Sequence, residues 1–421
     1  MSTPTTPLVT AADVDAAAER LRGVVLPSPV QRSGRLSEAS GCEVWLKRED
    51  LQEVRSYKSR GAYNLIAQLD DDARARGVVC ASAGNHAQGV AFACAALGVS
   101  AEIYLPRTTP RQKRDRVAQL GGSTTTVVVG GDAFDDASRA ATERAAATGR
   151  TLIPPFDDPR TVAGQGTAIK ELVEQMPSAP DYLLVPVGGG GLLAGAAVWA
   201  GERLPGTQVV GVEPAGAASM TLALERGEPT VLHELDGFVD GAAVRRVGDV
   251  NHRLVADAGV RVVAVPEGAV CVEMLELYQS DGIIAEPAGA LASAALLDLD
   301  LGIPAGSTVA CVLSGGNNDV SRYAEVVERA LVHEGRKHYF LVQFPQEPGA
   351  LRQFLDVVLG PEDDITLFEY TKRSNRETGP ALVGIELGTA DDLEPLLARM
   401  DLIPHQIERV PAGSPIARYL L

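Results

Sequence analysis

Only six of the 38 basic residues are lysines, and one of them stands apart. Lys47, Lys113, Lys170, Lys337 and Lys372 sit in charged, surface-like stretches such as Lys47-Arg48-Glu49-Asp50 and Arg111-Gln112-Lys113-Arg114. Lys58 sits in Ser56-Tyr57-Lys58-Ser59-Arg60-Gly61-Ala62, at the expected start of a helix. A helix N-terminus disfavours a cation and leaves more of the amine free as a nucleophile, which is what carbonyl chemistry at a lysine needs. An exposed lysine at a helix start has the same local pattern, so the segment alone does not decide.

Gly188-Gly189-Gly190-Gly191-Leu192 joins an expected strand to an expected helix. Glycines there let consecutive backbone N–H groups converge on one phosphate, and the helix dipole adds to the attraction. No Lys-Ser or Lys-Thr follows, so this is not a nucleotide P-loop. The bland alternative is a flexible loop. Ser82-Ala83-Gly84-Asn85-His86-Ala87-Gln88-Gly89 also leads from a strand into a helix. Its N–H groups suit a carboxylate, and Asn85 offers an amide to a ring oxygen. His86, beside Asn and Gln, reads as a packing and hydrogen-bonding residue in preference to a general base. Cys311-Val312-Leu313-Ser314-Gly315-Gly316-Asn317-Asn318 is a strand end followed by a turn, and is weak by itself.

The elements that must position these segments alternate. Between about residues 40 and 330, short apolar runs at 77–81, 101–105 and 182–187 precede helical patterns at 87–97, 112–120 and 192–204. Strand and helix at this spacing imply a mostly parallel sheet covered on both faces, hence an α/β fold. Gly41, Gly98 and Gly121 fall where left-handed helix caps are expected. After Gly335 the pattern becomes strand 338–344, helix 349–359, strands 364–372 and 380–387, helix 391–401 and strand 403–410. That β-α-β-β-α-β order is ferredoxin-like. The helix 319–333 and the charged stretch 334–337 mark the expected boundary, giving a catalytic domain over 1–334 and an appended domain over 338–421.

Composition narrows the partners. A chain of 421 residues suits about two or three domains. A formal charge of −17 argues against nucleic acid and against an anionic membrane. Cys42, Cys80, Cys94, Cys271 and Cys311 include no short-spaced pair, which suits reduced thiols rather than disulfides or zinc. Residues 1–10 lack a secretory signal pattern. The uncharged stretches 77–101 and 182–201 are interrupted by Gly, Ser, Asn or Pro, and neither is the continuous run of ~20 apolar residues that a spanning helix needs. A cytoplasmic enzyme is expected.

The joint occurrence, in this order, of Ser-Tyr-Lys-Ser-Arg-Gly-Ala, Ser-Ala-Gly-Asn-His-Ala-Gln-Gly, Gly-Gly-Gly-Gly-Leu and Leu-Ser-Gly-Gly-Asn is highly specific. It resembles the threonine ammonia-lyases of the tryptophan-synthase-β-like (fold type II) pyridoxal-phosphate enzymes, from about Pro27 to the C-terminus. The resemblance implies that two α/β subdomains bind pyridoxal 5'-phosphate and deaminate L-threonine to 2-oxobutanoate, the first step of isoleucine biosynthesis. It implies that Lys58 carries the cofactor and acts as the catalytic base. It further implies that Asn85 bonds the cofactor's ring oxygen, Gly188, Gly189, Gly190, Gly191 and Leu192 hold its phosphate, and Ser314 faces its ring nitrogen. Ser82, Ala83, Gly84 and His86 are the candidate substrate contacts.

Some positions depart from the wider family. Ala83 stands where related serine racemases carry a proton-donating serine, which counts against racemisation. Ser219 stands where those relatives place a carboxylate metal ligand, so no metal is expected. Glu286 either lines the site or merely caps a helix. The appended domain resembles the ACT-like regulatory domains of the biosynthetic enzymes. Isoleucine is the expected allosteric ligand, received at a turn that includes Gln346, Glu347 and Gly349, and a homotetramer is expected. The bland alternative is a dimerisation domain without ligand. The rival functions are a catabolic serine/threonine dehydratase and a non-catalytic amino-acid sensor.

Overall fold

The computed structural model describes residues 8–372, 376–411 and 413–420. Residues 1–7, on which most of the reading of the N-terminus falls, lie outside them. The chain divides into two compact units, Met1–Asn318 and Asp319–Leu421.

In the first unit the strand–helix alternation is shared between two sheets. A six-stranded sheet runs Val30–Arg32, Glu43–Arg48, Thr308–Leu313, Tyr182–Pro186, Gln208–Pro214, Arg261–Val265. Only its first pair is antiparallel. A wholly parallel four-stranded sheet runs Thr125–Val129, Ala101–Leu105, Val78–Ala81, Thr151–Leu152. Tyr182–Pro186 and Thr308–Leu313 are near-continuous apolar runs because helices cover both faces of their sheet. The helix Pro287–Asp298 is buried all round from Pro287 to Leu296, so it carries no polar stripe. The two apolar stretches checked against a membrane are strand–loop–helix units, and among the described residues no helix is long and apolar enough to cross one.

The second unit has four antiparallel strands in the order Asp364–Tyr370, Thr378–Glu386, Lys337–Pro345, Gln406–Arg409. With the helices Ala350–Val358 and Leu393–Met400 this is the expected β-α-β-β-α-β fold. Its core holds Phe340, Val342, Phe344, Phe354, Val383 and Leu396.

Several local expectations are corrected. The last strand begins at Gln406 rather than at Ile403, because Pro404 cannot donate to a ladder and Ile403 is buried in the core. Helix Tyr323–His333 belongs to the second unit, and the stretch read as its charged end already starts a strand at Lys337. Gly121 is the last helical residue, and the positive φ falls on Gly122 (+51°). Gly41 and Gly98 are left-handed caps. Lys47 and Lys337 are not surface lysines: both are buried, on Glu171 and Glu328 respectively.

Candidate active site

Lys58 opens the helix Lys58–Ile66. The residues before it are laced to the end of the strand Thr308–Leu313. Tyr57 N–H donates to Ser314 O (3.2 Å), Gly316 N–H donates to Arg55 O (2.9 Å), and Ser56 pairs with Gly315. Arg55, at φ +54°, is the one non-glycine residue in the left-handed region among the described residues. This lacing puts the backbone of the lysine segment directly beside that of Ser314.

Arg60 anchors the same helix from within. Its guanidinium donates to Glu49 (2.9 and 2.8 Å) and to Glu171 (3.1 and 2.9 Å). Lys47 donates to Glu171, and Ser28 Oγ–H donates to Glu49. Two cations and two carboxylates thus form one buried, neutral cluster. Burial works to raise the Glu49 carboxyl, but the Arg60 charge and hydrogen bonds outweigh it and hold Glu49 below the usual carboxylate range.

The helix Asn85–Leu97 passes so close to Lys58 that a Cβ on Gly89 would lie 2.8 Å from the Lys58 carbonyl oxygen. Glycine is required there by space. Among the described residues the N–H groups of Ala83, Asn85 and His86 have no acceptor within the protein, while Gly84 N–H turns back to Ser82 Oγ (3.3 Å). His86 points away to the Ile153 carbonyl oxygen (3.0 Å). Burial, then the charge of Lys58, pushes His86 down to about 3, so it stays neutral and serves packing.

The glycine run Gly188–Gly191 leads from the strand Tyr182–Pro186 into the helix Gly191–Arg203, with Gly190 at φ +91°. A Cβ on Gly188 would lie 3.0 Å from Ala242 Cα, and one on Gly189 would enter the Phe156 ring. Among the described residues, the N–H groups of Gly188, Gly189, Gly190, Gly191 and Leu192 find no acceptor in the protein. Five successive uncommitted donors at a helix N-terminus form an anion site that a phosphate would satisfy. Lys58 Nζ–H, meanwhile, donates among the described residues only to the Pro155 carbonyl oxygen at 3.3 Å, a long bond that a covalent partner could readily replace. These features fit pyridoxal phosphate.

Ser314 is buried, and its hydroxyl donates to Ala288 O (3.1 Å). Glu286 stands at the N-cap position of the helix Pro287–Asp298 without a capping bond from its carboxylate, and it is buried against Gly315. Burial, then the nearby Asp240, pushes Glu286 up to about 7, against the Asn85 bond and the charges of Lys113 and Lys58.

Sequence reasoning missed the stretch 153–157, which serves three of the motifs at once. Ile153 O meets His86, Pro155 O meets Lys58, and Phe156 underlies Gly189 and Gly191. Asp157 accepts from the N–H groups of Asp249 and Val250. Its only local signal is the Pro-Pro-Phe-Asp run ahead of a helix. Just after Ser219, the N–H groups of Met220 and Thr221 donate to the Glu213 carboxylate.

In the second unit the turn named as the candidate effector contact is held to its neighbour. Gln346 Nε2 donates to the carbonyls of Arg376 (2.6 Å) and Thr378 (3.3 Å), clamping the turn to the neighbouring strand. Glu347 is exposed, and Gly349 (φ +98°) caps the helix Ala350–Val358.

A family model described as pyridoxal-phosphate dependent enzyme matches residues 21–315, and one described as the C-terminal regulatory domain of threonine dehydratase matches residues 328–420. The chain is 60% identical over 412 residues to a protein of Mycobacterium tuberculosis named L-threonine dehydratase biosynthetic IlvA, covering 97% of this chain and 96% of that one. The protein of the same name from Bacillus subtilis is 50% identical over 391 residues, covering 93% and 92%. Among solved structures, the processed form of threonine deaminase isoform 2 from Solanum lycopersicum has a TM-score of 0.72 at 36% identity, over 77% of this chain and 96% of that one. A serine racemase from Dictyostelium discoideum has a TM-score of 0.69 at 31% identity, over 74% and 100%.

Proposed function

We infer, for a chain that belongs to the pyridoxal-phosphate dependent enzymes and among them to the biosynthetic L-threonine dehydratases, how its own residues divide the work of turning L-threonine into 2-oxobutanoate and ammonia. When bound, the cofactor supplies an electron sink for the carbanion left at the substrate's α-carbon. Lys58 holds the cofactor covalently through Nζ. Released by the incoming amine, the same Nζ takes the α-proton as general base. The N–H groups of Gly188 to Leu192 hold the phosphate, and one Asn85 N–H meets the ring oxygen. Ser314 faces the ring nitrogen with a neutral hydroxyl, which does not keep that nitrogen charged. A neutral hydroxyl at Ser314 would favour prompt loss of the β-hydroxyl over a long-lived carbanion. The N–H groups of Ala83 and Asn85 receive the substrate carboxylate, with Ser82 and Gly84 shaping their loop. Ala83 has no proton to return to the opposite face, which separates elimination from racemisation.

The single observation that carries this reading is the lacing of residues 55–57 to 314–316, with Gly89 against the Lys58 carbonyl. It gathers three of the four motifs around one lysine. The second unit, 319–421, is read as the regulatory part, with isoleucine as its ligand, in a cytoplasmic homotetramer. A ligand there acts by favouring one state of the enzyme over another. Assay of 2-oxo acid from threonine and from serine, each with and without isoleucine, tests the whole reading. Failure of threonine to yield 2-oxobutanoate overturns it, and indifference to isoleucine removes the regulatory part.

A further inference from the structure

Asn85 is held by two side chains that have no role in the division of work above. Asn317 Nδ2 donates to the Val54 carbonyl oxygen (2.8 Å) and to Asn85 Oδ1 (2.7 Å). A backbone carbonyl only accepts, so Val54 decides which end of the Asn317 amide is nitrogen. Asn317 then decides which end of the Asn85 amide is oxygen. On its other side Asn85 Nδ2 donates to Glu286 Oε1 at 2.6 Å. An amide nitrogen carries two hydrogens, so one Asn85 N–H stays uncommitted among the described residues.

Glu286 is itself fixed. Its N–H donates to Gly315 O (3.1 Å), and its carbonyl accepts from Gly289 N–H (2.8 Å) and Ala290 N–H (3.2 Å). Its carboxyl lies against Gly315, where a Cβ would collide with Oε1. Turning the Asn85 amide over would set its NH2 against the NH2 of Asn317, two donors with no acceptor between them, and its oxygen against the Glu286 carboxyl. Both bonds would be lost together.

We propose that Glu286 and Asn317 are positioning residues of the reaction, locking the Asn85 amide so that its one free N–H is always the group offered to the cofactor's ring oxygen. The proposal rests on the reading of Asn85 as a cofactor contact. Glu286 acts through Asn85, whose bond it accepts in either protonation state and accepts more strongly as a carboxylate. The groups facing it are Asp240, Lys113 and Lys58, and burial with Asp240 brings its titration to about 7. The strength of the lock therefore changes within the working pH range.

The test is equilibrium binding of pyridoxal phosphate to the apo-protein, followed by tryptophan fluorescence and cofactor absorbance between pH 6 and 8.5. The proteins are the wild type and the variants Asn85→Ala, Glu286→Ala, Glu286→Gln and Asn317→Asp. Losing a hydrogen bond in a charge-assisted chain should weaken binding about tenfold in Asn85→Ala, Glu286→Ala and Asn317→Asp. Glu286→Gln can still accept from Asn85, and should recover to within about threefold while losing the pH step expected of the wild type near 7. If Asn85→Ala weakens binding and Glu286→Ala and Asn317→Asp do not, the positioning role is overturned and the reading of Asn85 stands. If Asn85→Ala binds as the wild type does, both fall. Should either weakened variant misfold by circular dichroism, Glu286→Gln decides, because a pH step near 7 that persists in it overturns the proposal.

Discussion

Arg60 is the position at which the support of the active-site lysine can be measured. The perturbation is Arg60→Met, which keeps much of the side-chain volume but removes a cation from a cluster of Lys47, Arg60, Glu49 and Glu171. The cluster is neutral, so the variant is left with one uncompensated buried negative charge. Glu49 is fully buried and keeps the Ser28 hydroxyl as a hydrogen-bond partner and the Lys47 charge, which it shares with Glu171. Breaking a buried pair in this way costs about 3–5 kcal/mol. The double variant Arg60→Met with Glu49→Gln restores neutrality through the remaining Lys47–Glu171 pair, and should be more stable than the single variant by about 2 kcal/mol or more. The sign of the pH dependence follows from Glu49. Its folded value is depressed, so it contributes stability above the ordinary value of 4.5 and loses it as pH falls. Without Arg60, burial, the largest influence on that carboxyl, is opposed only in part by the Lys47 charge and the Ser28 bond, so the carboxyl should rise and the gap between variant and wild type should shrink from pH 7 to pH 5. Urea unfolding of the apo-protein by tryptophan fluorescence reads this in the first unit alone, since Trp45 and Trp199 both lie there. A single variant that loses less than about 1 kcal/mol, or a double variant no more stable than the single one, would refute the reasoning.

Three further outcomes are expected. Lys58→Ala should abolish threonine turnover, and borohydride reduction of the native enzyme followed by peptide mapping should place the label on Lys58; a label on Lys113 or Lys170 would overturn the assignment. Ser314→Asp should keep the ring nitrogen protonated, slow the elimination and build up a new long-wavelength absorbance in stopped-flow mixing with threonine. Unchanged spectra and rates would remove the role given to that hydroxyl. A chain ended at Asn318 should stay active and lose its response to isoleucine, where the full chain shows a shift of threonine affinity of roughly 5- to 150-fold; inhibition of the shortened chain would move the effector into the first unit.

What the sequence disclosed was local. The glycine run, the Ser82–Gly89 segment and the Lys58 segment each sit at one strand–helix junction, and a junction is written in adjacent residues. What stayed hidden is assembled across the chain. Lys47 reads as a surface residue because its neighbours are charged, while its partner Glu171 lies more than a hundred positions on. The carbonyl of Pro155 and the ring of Phe156 serve the site through backbone and shape, which leave no chemical mark in a sequence. Glu286 is legible as a candidate but its bond to Asn85 is not, and Asn317 reads in the sequence only as part of a glycine-rich turn. The misplaced cap at Gly121 is of a different kind, since adjacent glycines are interchangeable to any pattern and only the fold chooses between them.

The turn that carries Ser314 and Asn317 is also where the first unit ends: Asn317 is bonded to Asn85 and Val54, and Asp319 already belongs to the second unit. The polypeptide passes from one unit to the other there without intervening residues, a tether that is short in sequence. Asn317, whose side chain is bonded to Asn85, stands two positions before the second unit begins. Lengthening the tether by a few flexible residues after Asn318 should act as a mechanical clutch, leaving both units folded while muting what one tells the other.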